Sequence, residues 1–249
     1  MKHTLYILLV ATLLFPCSSF AASSKKAETL YENGQYQEAL DAYFTLAQKG
    51  QSAKLYYNIG NCYFRMDSIP QALLWFERAY LLDPSDADIR YNLNYARSKT
   101  IDKIVPEEDM FFVRWYHGLL NTLSVQGWTI AGILLFSLCL ASLCAYIFLS
   151  EVRLRKMGFY GAIVLFVMVI LSNIFAWQQR SLQFDHNRGI ILSSSVSCKS
   201  SPNEAGKELY LLHEGTSVSI IDRSVRNWLE IRLSDGKQGW IPASSIEVI

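Results

Sequence analysis

Histidines, cysteines and clustered carboxylates are the side chains from which a nucleophilic or metal-dependent site would be built, and here they are dispersed. The four histidines stand at positions 3, 117, 186 and 213, so none has a partner at metal-ligand spacing. The five cysteines fall at 17, 62, 139, 144 and 198. Cys139 and Cys144 lie inside a long apolar run and Cys17 in an apolar leader, which leaves Cys62 and Cys198 in ordinary polar surroundings. One thiol on each side of the apolar region makes no intradomain disulfide framework. Two buried thiols are expected, with a Cys62–Cys198 bridge as the alternative. No Ser/His/Asp or Cys/His constellation and no phosphate loop occurs. The chain is therefore expected to be no enzyme and to hold no cofactor and no metal. Its 23 basic and 22 acidic residues nearly cancel. Neither polar flank is basic, so no nucleic acid is expected as a partner.

The charged residues with the clearest physical meaning are Arg153, Arg155 and Lys156, against a single Glu151, in the segment 150–158. On either side lie uncharged apolar arms at 128–149 and 159–177. At ~1.5 Å of rise per residue, each arm as a helix can cross a ~30 Å hydrocarbon core. A short basic loop stays in the cytoplasm. Both flanks are therefore expected on the outer, periplasmic side of the inner membrane. Trp128, Tyr160 and Trp177 stand near the span ends, where amphipathic rings favour the headgroup layer. Ser137, Ala141 and Ala145 recur every four residues in the first arm and would admit a second helix. The second arm is the expected occupant, and another protein's helix the alternative. At the start of the chain, Lys2, an apolar run to Phe15 and small residues before Ala21 read as a signal peptide over 1–21. An uncleaved signal anchor is one alternative. A lipoprotein at Cys17 is another, opposed by Pro16 where a small residue is needed.

The segment 22–105 carries an internal period of 33. Leu30 to Ala39 and Tyr63 to Ala72 each read as a helix end, a tight turn and a second helix opening. Within 56–84, Tyr56, Ile59-Gly60, Tyr63, Ala72, Phe76, Ala79 and Pro84 hold fixed spacings. Gly60 and Ala72 are small enough for two helices to approach closely, and Pro84 stops the second. This unit resembles the tetratricopeptide repeat family. The first unit is degenerate, matching at Gly34, Tyr36, Ala39 and Tyr43, with a short opening helix expected. Asp86 is a candidate N-cap for a third helix whose apolar face is Ile89, Leu93 and Ala96. The resemblance implies a partner-binding concave face made by the first helix of each pair. Carried over residue by residue, it gives Tyr57, Asn61 and Phe64 from the repeat and Tyr91 and Tyr95 from the following helix. Asn58 and Asn92 could hydrogen-bond a partner's main chain. The carboxylate clamp of some family members needs basic residues where Tyr57 and Asp88 stand, so that ligand is disfavoured.

The juxtamembrane stretch 106–127 follows Glu107-Glu108-Asp109 with Phe111, Phe112, Trp115, Tyr116, Leu119, Leu120 and Leu123. It reads as an amphipathic helix in the outer interface of the lipid bilayer, with a partner-facing helix as the alternative. Beyond the second arm the period shortens. Strands are expected near 190–196, 209–221, 228–233 and 238–241, with turns at Glu214-Gly215 and Asp235-Gly236. Lys199-Ser200-Ser201-Pro202, the run from Leu212 to Val218, Asn227-Trp228-Leu229-Glu230-Ile231 and Gly239-Trp240-Ile241 are similar to motifs of the bacterial SH3 family. That resemblance covers 187–249, with Trp228 and Trp240 expected to be structural.

The fold class read from the sequence is thus multi-domain: all-α tetratricopeptide-repeat helical hairpins, two transmembrane helices and a small all-β SH3-like barrel. The order of these parts resembles BatE-type proteins of bacterial aerotolerance (Bat) operons. The resemblance implies a membrane complex with other Bat-type proteins, some bearing von Willebrand A domains, linked to oxygen or stress tolerance. The leading expectation is a scaffold that recruits partner proteins. The alternative is an envelope sensor whose SH3-like part binds cell-wall peptides.

Overall fold

The computed structural model describes residues 18–249. Of the expected signal peptide, residues 1–17 lie outside the described residues, and 18–21 are the first turn of a helix. Five helices open the fold: α1 (Ser18–Glu32), α2 (Tyr36–Ala47), α3 (Ala53–Arg65), α4 (Ile69–Leu82) and α5 (Ala87–Lys99). The expected short opening helix is in fact 15 residues long. The 33-residue period is visible in backbone hydrogen bonds. Gln35 N donates to Leu30 O at 3.0 Å and Gly34 N to Tyr31 O at 3.0 Å; Ser68 N donates to Tyr63 O at 2.9 Å and Asp67 N to Phe64 O at 3.2 Å. Both are Schellman ends, which need a left-handed residue. Gly34 supplies it at φ 78 and Asp67 at φ 59. Where α3 meets α4, a Cβ on Gly60 would stand 2.6 Å from the Phe76 ring, so only glycine permits this approach. Asp86 caps α5, accepting from Asp88 N at 2.8 Å and Ile89 N at 3.2 Å. Ile89, Leu93 and Ala96 are buried.

After α5 an extended strap leads to α6 (Phe111–Leu120), then α7 (Val125–Phe148) and α8 (Val152–Gln183). Helices α7 and α8 are long and apolar enough to cross a membrane. The turn between them is only Leu149–Glu151, because Arg153, Arg155 and Lys156 already belong to the first turns of α8. Their seam is small and polar. Ser172 Oγ donates to Trp128 O at 2.7 Å and Ser142 Oγ to Gly158 O at 2.9 Å. A Cβ on Gly158 would meet Ser142 O at 2.8 Å. The expected seam residues Ser137 and Ala141 are instead exposed, on a face turned away from α8. The close approach is set by Gly132 and Ser142, on a different stripe of α7, and by Gly158 of α8.

The last part is one antiparallel sheet of β1 (Arg188–Ile191), β2 (Ser195–Lys199), β3 (Glu208–His213), β4 (Ser217–Asp222), β5 (Trp228–Arg232), β6 (Gln238–Pro242) and β7 (Ile246–Val248). The order is β3-β2-β6-β5-β4-β1-β7, so β3 and β7 are edges and the sheet is not a closed barrel. Even so, Ile191, Val196, Leu212, Val218, Ile231 and Ile241 share one buried cluster. In a flat sheet β2 and β4 would be about 14 Å apart, so the sheet must curl for them to meet. The expected strand 209–221 is broken at Gly215, where φ is 82. Trp228 and Trp240 do not belong to the core. Register pairs Leu229 with Ile241 and Glu230 with Trp240, and with Ile231 and Ile241 buried, the two tryptophans fall on the opposite face. Cys62 and Cys198 are free thiols buried in different clusters, so the bridge does not form.

Helix α4 joins the repeat to the sheet. Leu74 is buried with Ile190 and Ile249, flanked by Leu81 and Leu192. Arg78 Nη2 donates to Val248 O at 2.8 Å and pairs with Glu247 at 3.1 Å. The strap adds Asp102, whose carboxylate accepts from His213 N at 2.8 Å, the His213 ring at 2.8 Å and Thr216 Oγ1 at 2.7 Å. Burial acts to raise the Asp102 pKa, but these hydrogen bonds outweigh it and hold the carboxyl below its ordinary value. The ionised clamp thus contributes its full stability above the ordinary carboxylate pKa of about 3.9, and loses it as pH falls through the lowered value. Asp102→Asn should cost roughly 1–3 kcal/mol, read by urea unfolding in detergent micelles. The variant should also lack the acid step expected of the unmodified chain below about pH 4.

A candidate protein-binding groove on the repeat helices

The seven residues expected to contact a partner fall into two neighbouring patches that meet at Asn61 of α3. Tyr57, Asn61 and Phe64 recur at i, i+4 and i+7, which puts them on one helical face. Tyr57 packs on Phe76 at 5.8 Å between ring centroids, and its hydroxyl accepts from Asn92 Nδ2 at 2.5 Å. Asn92 also donates to Asp88 O at 3.1 Å. Tyr57 and Asn92 are thus partnered with each other across the α3–α5 junction. Burial pushes the Tyr57 pKa up, with Asn61 opposing it. Their first role is to fix α5 on the repeat.

Next to this junction lies an aromatic ladder. Phe64 meets Tyr95 at 5.6 Å, and Tyr95 stacks on Tyr91 at 6.4 Å with the rings 4° from parallel. Tyr91 is 70% exposed and Tyr95 43%. Lys99 Nζ stands 5.1 Å from the Tyr95 ring centroid. Two large rings held parallel in solvent, with a cation beside them, suit stacking and hydrogen bonding with a polypeptide.

Adjoining this face, Asn58 and Asn61 line a small cavity of about 110 Å³ with Glu28, Tyr31, Glu32, Tyr43 and Lys54. Of these five, Tyr43 matched the repeat spacing, but none was carried over as a contact residue, because the resemblance transferred contacts only from the second repeat and the helix after it. Tyr43 is 2% exposed, and burial drives its pKa well up. Lys54 stands 3.5 Å from Glu28. Beneath both patches, burial pushes the Cys62 thiol up to about 12, which makes it packing rather than a nucleophile. Among the described residues no group of histidine, cysteine and carboxylate side chains is placed to hold a metal ion.

A second aromatic surface was hidden from sequence reasoning. On the outer face of the sheet Trp240 pairs with Glu230, and Trp228 with Pro242. The Lys199 ammonium stands 5.8 Å from the Trp228 ring centroid. Both tryptophans are half-buried. Only the alternation of the sheet, fixed by the burial of Ile231 and Ile241, shows that they face away from the core.

Comparison with protein families matches residues 53–86 to the tetratricopeptide repeat. The match takes in α3, α4 and the cap of α5, which is the stretch that carries Tyr57, Asn58, Asn61 and Phe64. No curated protein matches the chain. A tetratricopeptide repeat therefore forms the centre of the helical part, flanked by α1 and α2 on one side and α5 on the other. The two kinds of groove residue should respond differently to mutation. Tyr57→Phe removes the α3–α5 hydrogen bond to Asn92 and should cost about 1 kcal/mol of stability. Tyr91→Ala should change stability by no more than about 0.5 kcal/mol, measured by the same thermal melt.

Proposed function

We propose that this chain is a non-enzymatic, membrane-anchored scaffold that holds partner proteins against the repeat groove. The observation that carries this reading is the parallel Tyr91–Tyr95 pair, exposed on the helix that follows a tetratricopeptide repeat. Tetratricopeptide repeats in general mediate protein–protein interaction. Large exposed rings that are already ordered lose little conformational freedom on binding, which is why aromatic side chains dominate binding hot spots.

The anchoring part of the proposal rests on α7 and α8. Their large apolar side chains are mostly exposed, among them Ile133, Leu134 and Phe136 on α7 and Val164, Phe166 and Leu171 on α8. A lipid bilayer is the solvent that suits such surfaces. Packing gives a second argument. The repeat and the sheet share a buried cluster, so they belong in one compartment and an even number of crossings must separate them. Two apolar helices supply that number. Arg153, Arg155 and Lys156 at the turn support a reading with the turn in the cytoplasm and both flanks on the periplasmic side of the inner membrane. Within this reading the order of parts fits a BatE-type component of an aerotolerance complex, with von Willebrand A proteins as partners and the sheet as a divergent SH3-like domain.

One observation favours a second reading. Trp228 and Trp240 on the outer sheet face, beside Lys199, could stack on a cell-wall peptide, as an envelope sensor would require. In-membrane photo-crosslinking from position 91 separates the two, with the half-buried position 57 as the comparison. The scaffold reading expects one or two discrete membrane-protein products from 91 and few from 57. Products from position 240 alone, with none from 91, would favour the sensor and overturn the groove.

A further inference from the structure

Helix α6 has an apolar arc that is used by the protein along only part of its width. At 100° per residue, Phe111, Trp115, Leu119, Phe112, Tyr116 and Leu120 follow one another round the helix, and Arg114 and His117 take the opposite side. The Tyr116–Leu120 edge is seated on the spans. Tyr116 packs on Phe175 at 6.1 Å and its hydroxyl bonds Gln178. Leu120 is fully buried, with its carbonyl accepting from Trp128 Nε1 at 3.0 Å and from Gln179 Nε2 at 3.1 Å. Among the described residues the other edge has no partner. Phe111 is 78% exposed, Phe112 52% and Trp115 70%.

We propose that this free edge of α6 lies in the lipid headgroup layer, so that α6 is an interfacial collar around the outer end of the spans. The inference rests on the membrane reading above and extends it to a named surface. Continuity carries it. The seated edge touches α8 at Phe175 and Gln178, on either side of Trp177, which is itself 72% exposed. The free edge therefore starts at the level where the lipid-facing surface of α8 ends. Aromatic rings prefer that depth, and Arg114 and His117 on the far side of the helix would face water. Asn121, at the end of α6, donates to Tyr80 Oη at 3.3 Å, and Gln183 donates to Leu81 O at 3.0 Å. A collar fixed in the headgroups would thus set the height and tilt of α4, and with it the direction in which the repeat groove opens.

The test uses the full chain in phosphatidylcholine vesicles, with an environment-sensitive fluorescent amino acid at one position and doxyl-labelled lipid as quencher. Position 111 reports the collar, 136 the middle of α7 and 91 the groove. The proposal expects loss of fluorescence at 111 that is greater with a shallow than with a deep doxyl group. Position 136 should show the reverse order, and 91 no loss. Quenching at 136 but none at 111 would overturn the collar while leaving the spans in place, and would give the α6 edge to another protein. No quenching at 136 would overturn the membrane reading, and the collar with it.

Discussion

The Glu77 side chain is 1% exposed, and α5 and β1 each bring a cation to its carboxylate. Its Oε1 accepts from Arg97 of α5, and its Oε2 stands 3.8 Å from Arg188 of β1. A buried carboxylate without such partners costs several kcal/mol, so α5 and β1 are both tied to the outward face of α4. Leu74, one turn earlier on α4, buries Ile190 and Ile249 beside this cluster. Charge pairing sets which elements meet, and apolar burial supplies most of the free energy once they do.

From this centre the other features follow in order. With α5 fixed against α4, Tyr57 and Asn92 come within hydrogen-bond reach, and Tyr91 and Tyr95 are carried to the open side. With β1 fixed, the sheet closes over the strap, where Asp102 and the Glu107 N–H are bound to it, the latter by Ser234 O at 2.8 Å. The lower end of α4 rests on α6 and α8 through Tyr80 and Leu81. The groove therefore opens from a braced body, and not from a repeat hanging on a flexible tether. Preorganisation of this kind lowers the conformational cost of binding a partner.

Sequence was a good guide where one local rule decides the structure. Gly60 and Ala72 announced a close helix pair, Asp86 a cap and Gly236 a hairpin turn, because each acts over a few residues. The two apolar arms were equally plain, since length and the lack of charge suffice. What escaped was everything set by distant partners. Glu77 and Arg188 are ordinary surface types in their own segments, and nothing local says that they meet. Tyr57 carried the family's binding position, yet a partner 35 residues away occupies its hydroxyl. Trp228 and Trp240 were expected to be structural from the SH3 resemblance, but a period of two puts them opposite Ile231 and Ile241. The stripe of Ser137, Ala141 and Ala145 had suitable spacing, and the stripe through Gly132 and Ser142 offered closer contact.

The central claim is that repeat and sheet form one block on one side of a membrane crossed twice. Labelling with a membrane-impermeant thiol reagent tests it most directly, with single exposed cysteines placed at 91, 226 and 153 in intact cells whose outer membrane has been made permeable. The account expects 91 and 226 to label at once and 153 only after the inner membrane is opened. Labelling of 91 without 226, or of 153 from outside, would contradict it.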